Sequence, residues 1–213
     1  LYSNTVTINV VQAVTPANAG ADQQLCNVTF AALSGNTPAS GTGTWSFVSG
    51  PSAVSFTNPN DPNTTVNGLA AGTYQLAWTI ANNICSASQD LMQITVYGPT
   101  VAGSLAAAAT VCATANTGTL SLTGYVSSVV RWEYSTNSGA SWNNIASTTD
   151  TYTYNNLSAT TAYRAYVQNA VCPALYSNTV TINVVQAVTP ANAGADQQLC
   201  NVTFAALSGN TPA

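Results

Sequence analysis

Residues Leu175–Ala213 read LYSNTVTINVVQAVTPANAGADQQLCNVTFAALSGNTPA, and the same 39 letters stand at Leu1–Ala39. Inside them Asn178-Thr-Val-Thr-Ile-Asn-Val184 alternates polar and aliphatic residues, which sets Val180, Ile182 and Val184 on one face of a β-strand. The identity runs on through Asn- and Gly-rich turns that packing leaves free to drift. It therefore marks a duplicated unit with a period of 174 residues, the offset from Leu1 to Leu175. The chain reads as a window on a tandem array flanked by further copies of the same repeat. A second reading is donor-strand exchange, in which Leu1–Val14 completes a neighbouring chain.

Outward from these segments, short runs rich in Val, Ile, Thr, Tyr and Trp are punctuated by Gly, Pro and Asn, with no helical period. The fold class predicted is all-β: tandem β-sandwich domains, each with one disulfide. Residues 1–14 are the end of a preceding copy of the second domain, 15–98 and 99–188 are two sandwich domains, and 189–213 begin the next copy of the first. Strands are expected near Val28–Leu33, Gly43–Val48, Ala53–Thr57, Thr64–Asn67, Thr73–Asn82 and Ser88–Tyr97. In the second domain they are expected near Thr119–Thr123, Val129–Tyr134, Ser141–Ile145, Thr151–Asn156, Ala162–Gln168 and Ser177–Val185. Tyr74, Leu76, Trp78 and Ile80 share a core face, and Trp132 is placed between Val130 and Tyr134 on another.

Cysteine positions give the compartment. Cys26 and Cys85 are 59 residues apart, Cys112 and Cys172 are 60 apart, and Cys200 is the period-shifted copy of Cys26. The near-equal spacing predicts Cys26–Cys85 and Cys112–Cys172 bridges formed in an oxidising, extracellular compartment, with Cys200 pairing beyond the chain end. Metal binding would call for closely spaced pairs and histidines instead.

Composition narrows function. Arg131 and Arg164 are the only cations, six Asp and Glu outnumber them for a net charge of −4, and His is absent. Two arginines cannot neutralise a run of phosphates, so nucleic acid is excluded as a partner. Without His or Lys the usual bases and nucleophile activators are missing, and no enzymatic activity and no cofactor are expected. The Ala-rich run Ala106–Ala113 is too short to span a bilayer.

The motifs AGADQQLC (Ala19–Cys26), GTGTWSFVSG (Gly41–Gly50), GLAAGTYQLAWTI (Gly68–Ile80) and the pair Ile84-Cys85 carry a likeness over the first domain. VVRWEYSTNSGASWNNI (Val129–Ile145), TYTYNNLSATTAYRAYV (Thr151–Val167) and VCPALYSNTVTI (Val171–Ile182) carry it over the second. Together they resemble the immunoglobulin-like repeats of very large secreted surface proteins and adhesins of Bacteroidota-type bacteria, some tied to gliding motility and type IX export. The resemblance implies an exported, cell-surface protein and names no ligand. The cysteines depart from the antibody pattern, standing before an early strand and in the last hairpin.

Several residues are candidates for more than packing. Arg131, Arg164 and Tyr166 form a candidate ligand patch on the outer face of the second domain, with an exposed Glu133–Arg164 contact as the plainer reading. Asn58-Pro-Asn-Asp-Pro-Asn63 collects oxygens, but Asp61 is its only carboxylate, which favours Asx-turns over calcium. Asp22, Asp61 and Asp90 read as turn caps. Asn27, Asn63 and Asn156 open Asn-x-Ser/Thr sequons, candidate sites for sugar. The short connectors Tyr97-Gly-Pro99 and Ala187-Val-Thr-Pro190 suit a semi-rigid extracellular filament or stalk, homopolymeric in its repeats and on the order of 80 Å per repeat. The alternative is an adhesin that binds glycans or another cell surface through Trp45, Trp142 or Tyr166.

Overall fold

Alternation of apolar and polar residues resolves into strands throughout the computed structural model, which describes residues 4–106 and 108–211. Every regular element among those residues is a β-strand. The chain divides into two units. The first runs to Val101 and takes in Val126–Ser128 and Val167–Leu175; the second holds Ala102–Tyr125, Val129–Tyr166 and the chain from Tyr176 onward.

Along the first part of the chain lie β1 (Gln23–Cys26), β2 (Phe30–Ala32), β3 (Thr42–Ser49), β4 (Ser55–Phe56), β5 (Thr65–Asn67), β6 (Gly72–Ala81) and β7 (Ser88–Tyr97). One sheet has the order β1-β7-β6-β3 and the other β2-β5-β4. Between them sits a core drawn from both sheets: Ala31 and Val66 from one, Trp45, Tyr74, Leu76, Trp78, Ile80, Met92 and Ile94 from the other. The face expected of β6 is the buried one, since Tyr74, Leu76, Trp78 and Ile80 are all fully enclosed. The Trp45 and Trp78 rings lie 5.1 Å apart. Gly43 belongs here because a Cβ at that position would collide with the Trp78 ring.

The remaining strands are β8 (Val101–Leu105), β9 (Thr110–Cys112), β10 (Thr117–Val126), β11 (Ser128–Ser135), β12 (Asn143–Ile145), β13 (Thr151–Asn155), β14 (Thr161–Gln168), β15 (Leu175–Tyr176) and β16 (Val180–Val185). They form a sheet of order β13-β10-β8 and a larger one of order β12-β11-β14-β16-β9, with β15 pairing β14. Trp132, Ala165 and Ile182 are buried in the larger sheet, and the Trp132 indole donates to the Thr149 carbonyl at 2.9 Å. Its strand starts out of phase with the expected alternation. The chain enters through Ser127 at φ 110°, Val129 is buried and Val130 is 40% exposed, so Val130 does not share the core face of Trp132.

The two units share a topological device. In each, a short cysteine-bearing strand runs parallel to the last long strand: β1 beside β7 and β9 beside β16. In each, the cysteine is the final residue and faces the final residue of its partner, Cys26 opposite Tyr97 and Cys112 opposite Val185. None of β1, β8 and β9 is among the strands expected from the sequence. Asp-Gln-Gln-Leu-Cys has no alternation, and the Ala-rich stretch before Cys112 has too little side-chain contrast to show one.

These missed strands overturn the expected disulfides. The bridge in the structure joins Cys26 to Cys172, with Cα atoms 5.0 Å apart and a sequence separation of 146, and Cys85, Cys112 and Cys200 are free thiols. Cys26 sits at the Tyr97 end of β7, while Cys85 precedes its Ser88 end. Ten residues of strand at about 3.3 Å each hold them roughly 30 Å apart, far beyond disulfide reach. Cys112 ends β9 opposite Val185 and is a free thiol, while Cys172 lies between β14 and β15 and is taken by Cys26. Near-equal spacing in sequence reflected equivalent topology, not bonding.

Candidate functional site

The outer face of the larger second-unit sheet gathers the chain's only two cations. Strand β11 presents Arg131 and Glu133 two residues apart, hence on one side, and the adjacent β14 presents Arg164 and Tyr166 by the same rule. Glu133 lies beneath, with its side chain 4% exposed, and the arginines cover it at 28% and 21%. Its Oε1 accepts from Arg131 Nε at 2.8 Å and its Oε2 from Arg164 Nε at 2.8 Å. The Nη2 atoms of both arginines close the pairs at 2.6 and 2.7 Å, so each guanidinium meets the carboxylate with two nitrogens.

Aromatic rings complete the cluster. Arg131 lies 3.9 Å over the Tyr166 ring, and Arg164 lies 3.7 Å from the Tyr176 ring and 4.0 Å from that of Trp142. The Tyr166 and Tyr176 rings are 4.8 Å apart, and the Tyr176 hydroxyl donates to Glu133 Oε1 at 3.4 Å. Burial alone would raise the Glu133 carboxyl, but hydrogen bonds from Arg164 and Arg131, with their charges, outweigh it and hold the group below the ordinary carboxylate range. Burial alone would likewise lower Arg131, and Glu133 more than compensates.

Arg131, Arg164 and Tyr166, singled out in the sequence, are thus brought together. The expected Glu133–Arg164 contact is present, but Glu133 is buried and shared by two arginines, not exposed. Trp142 and Tyr176 were not foreseen as members. Parity within a strand cannot reveal Tyr176, which sits in the two-residue β15. Beside Trp142 and Arg164 opens a groove of about 550 Å³, lined also by Ser135, Thr136, Thr160 and Thr181.

Other candidates resolve differently. Trp45 is a core residue, 2% exposed, and presents no ring to a ligand. In the Asn58–Asn63 loop the side-chain oxygens serve their own turns, Asn58 Oδ1 accepting from Asn60 N and Asp61 Oδ1 from Asn63 N. Among the described residues no cluster of three His, Cys, Asp or Glu groups is placed to hold a metal ion. Asp22 accepts from Gln93 N, while Asp90 stands within β7 and accepts from Ala19 N, so these carboxylates tie the entry segment to a strand. Asn27, Asn63 and Asn156 are all exposed. No helix among the described residues is long and apolar enough to cross a membrane.

Residues 19–96 match a family described as "K319L-like, PKD domain", and residues 101–186 match a "Domain of unknown function (DUF8696)". No curated protein matches the chain. Among solved structures the chain is similar to murine CEACAM1b, at 16% identity over 76% of this chain and 96% of that one, with a TM-score of 0.51. It is also similar to the PKD domain from KIAA 1837 protein, at 26% identity over 43% of this chain and 93% of that one, with a TM-score of 0.34. The likeness to murine CEACAM1b shows an immunoglobulin-like β-sandwich fold.

Proposed function

We propose that this immunoglobulin-like chain is a segment of a non-enzymatic structural array, an extracellular filament or stalk at a cell surface built from copies of one 174-residue repeat. The observation that carries the reading is the identity of Leu1–Ala39 with Leu175–Ala213. The second copy supplies β16 to one unit, and the first supplies β1 and β2 to the other. One uninterrupted segment can therefore end one sandwich and begin the next.

The rest of the chemistry is consistent with load-bearing, not turnover. Both cations are held by Glu133 and by aromatic rings, the aspartates cap backbone, and the bridged pair Cys26–Cys172 suits an oxidising compartment. Export by a type IX route in a Bacteroidota-type organism belongs to the same proposal and rests on the sequence resemblance. The test is small-angle X-ray scattering on chains of one, two and three repeats. The maximum dimension should grow by about 80 Å per repeat if sandwiches follow one another end to end, and a dimension that grows only as the cube root of mass would overturn the reading.

The second reading is adhesion, favoured by the groove beside Trp142 and Arg164 with its rim of Ser and Thr hydroxyls. It calls for glycan or cell-surface binding that Trp142→Ala abolishes while the fold is kept. A glycan array without binding would remove it.

A further inference from the structure

The connector of the first unit is clasped by a short motif. Asn169 Nδ2 donates to the Gly98 carbonyl at 2.8 Å, and three residues later Cys172 Sγ lies 3.2 Å from the Gly98 carbonyl oxygen and 3.9 Å from that of Tyr97. Tyr97 is the residue that faces Cys26 across β1 and β7, and its carbonyl accepts from Asn27 N. Cys172 thereby reaches Cys26, and the two are bonded.

The same motif recurs elsewhere with its partner missing. Asn82 Nδ2 donates to the Gln12 carbonyl at 3.0 Å, and three residues later Cys85 Sγ lies 3.6 Å from the Gln12 carbonyl oxygen and 3.9 Å from that of Val11. The residue after each asparagine has a left-handed backbone, Asn83 at φ 62° and Ala170 at φ 47°. Val11 and Gln12 are, one period on, Val185 and Gln186. Val185 faces Cys112 across β9 and β16, and its carbonyl accepts from Ala113 N as that of Tyr97 does from Asn27 N. In an array Val185 of one copy is Val11 of the next, so Cys112 stands on one side of that residue and Cys85 on the other.

We infer that Cys112 of each copy forms a disulfide with Cys85 of the copy that follows it, so that every connector of the array is covalently stapled. This rests on the tandem reading above. Cys200 then takes the role of Cys26 and bonds the Cys172 equivalent of the next copy. The bond forms by thiol–disulfide exchange with an extracytoplasmic disulfide oxidant. One cysteine thiolate attacks the oxidant's disulfide and expels one of its thiols, and the second thiolate then attacks the mixed disulfide and expels the other. Two protons leave the cysteines and two electrons reduce the oxidant.

Because the copies are identical, the test uses a two-repeat chain, this sequence extended by a further copy of residues 40–213, in two asymmetric versions. In the first, Cys85→Ser is placed in the leading copy and Cys112→Ser in the trailing one; in the second the substitutions are exchanged. Both are refolded with oxidised glutathione, and free thiols are counted under denaturing conditions with disulfide mapping by mass spectrometry. The first version should keep one free thiol, the trailing Cys200 equivalent, and yield the Cys112–Cys85 peptide. The second should keep three. Three free thiols in the first version, or closure of Cys85 in the second, would overturn the inference. Scattering on the same samples separates the two claims: an elongated chain with open thiols leaves the array standing and removes the staple, whereas a stapled but compact chain removes the rod.

Discussion

Glu133 accepts from Arg164 across two neighbouring strands at 2.8 Å while holding Arg131 on its other oxygen. Replacing it by the isosteric Glu133→Gln leaves two guanidiniums crowded around an uncharged amide. Removing one partner of a buried pair is costly even where the pair itself contributes little. The larger-sheet unit should lose about 3 kcal/mol, read as a lowered urea midpoint with unchanged slope. An unchanged midpoint would show the cluster to be decoration.

The pH profile follows from the same carboxylate and from Tyr163. Glu133 ionises below its ordinary value of 4.5 in the folded chain, so its stabilisation is complete above that value and disappears as pH falls through the lower, folded one. Burial, and then the neighbouring Tyr152, Tyr154 and Tyr134, push Tyr163 above its ordinary 10.0. The folded state then resists ionisation, and stability declines only as pH rises past 10.0. With no histidine between these limits, the melting temperature by calorimetry should be nearly flat from about pH 5 to pH 9 and fall on both sides. A drop of many degrees near pH 6 would contradict it.

Trypsin has only Arg131 and Arg164 to cut, and β11 and β14 are interior strands of their sheet with ladders on both sides. Cleavage needs the local backbone to leave the sheet, which for interior strands approaches global unfolding. The native chain should stay intact under trypsin amounts that digest the urea-unfolded chain. Reduction should hasten cutting by releasing the Cys26–Cys172 constraint.

Gly43→Ala should cost unit one about 2 kcal/mol, because the new methyl drives into the Trp78 ring and overpacks the Trp45–Trp78 pair. Tryptophan fluorescence during denaturant unfolding would register the loss, and a stability within about 0.5 kcal/mol of the parent would mean that the ring moves freely.

The duplicated segment offers a matched pair of sites. Ile8 is 83% exposed and Ile182, its copy, is 1% exposed. Ile182→Ala should destabilise by about 3 kcal/mol, whereas Ile8→Ala should stay within about 0.5 kcal/mol in this chain. Equal effects from the two would mean that Thr5–Val11 is also paired in solution, as strand exchange requires.

Much of the sandwich is legible in the sequence. Ser88–Tyr97 is a strand over its expected bounds, and the buried face of β6 follows from alternation alone. What escaped was the set of short strands β1, β8, β9 and β15, whose residues carry little periodic contrast and pair only because β7, β10, β16 and β14 offer them a partner. With them escaped the disulfide, since a pairing inferred from linear spacing ignores the length of strand standing between Cys26 and Cys85.

The two copies of one sequence separate these levels. Local sequence determined the Asn clasp: Asn18 N bonds Asn36 Oδ1, Gly20 N bonds Asn18 Oδ1 and Gln23 Nε2 bonds Ala32 O, and Asn192, Gly194 and Gln197 repeat all three contacts one period on. All three contacts close within one segment of 19 residues, and they recur in the second copy, where the later strands of the sandwich do not follow. Strand formation and burial were decided only by tertiary structure. Leu33 is 2% exposed and Leu207 is 88% exposed, and Val180 is 3% exposed while Val6 is 77% exposed. A strand has no hydrogen-bonded state of its own, so the same letters form β1 or β16 where a neighbouring strand and an apolar sheet await them, and remain irregular where they do not.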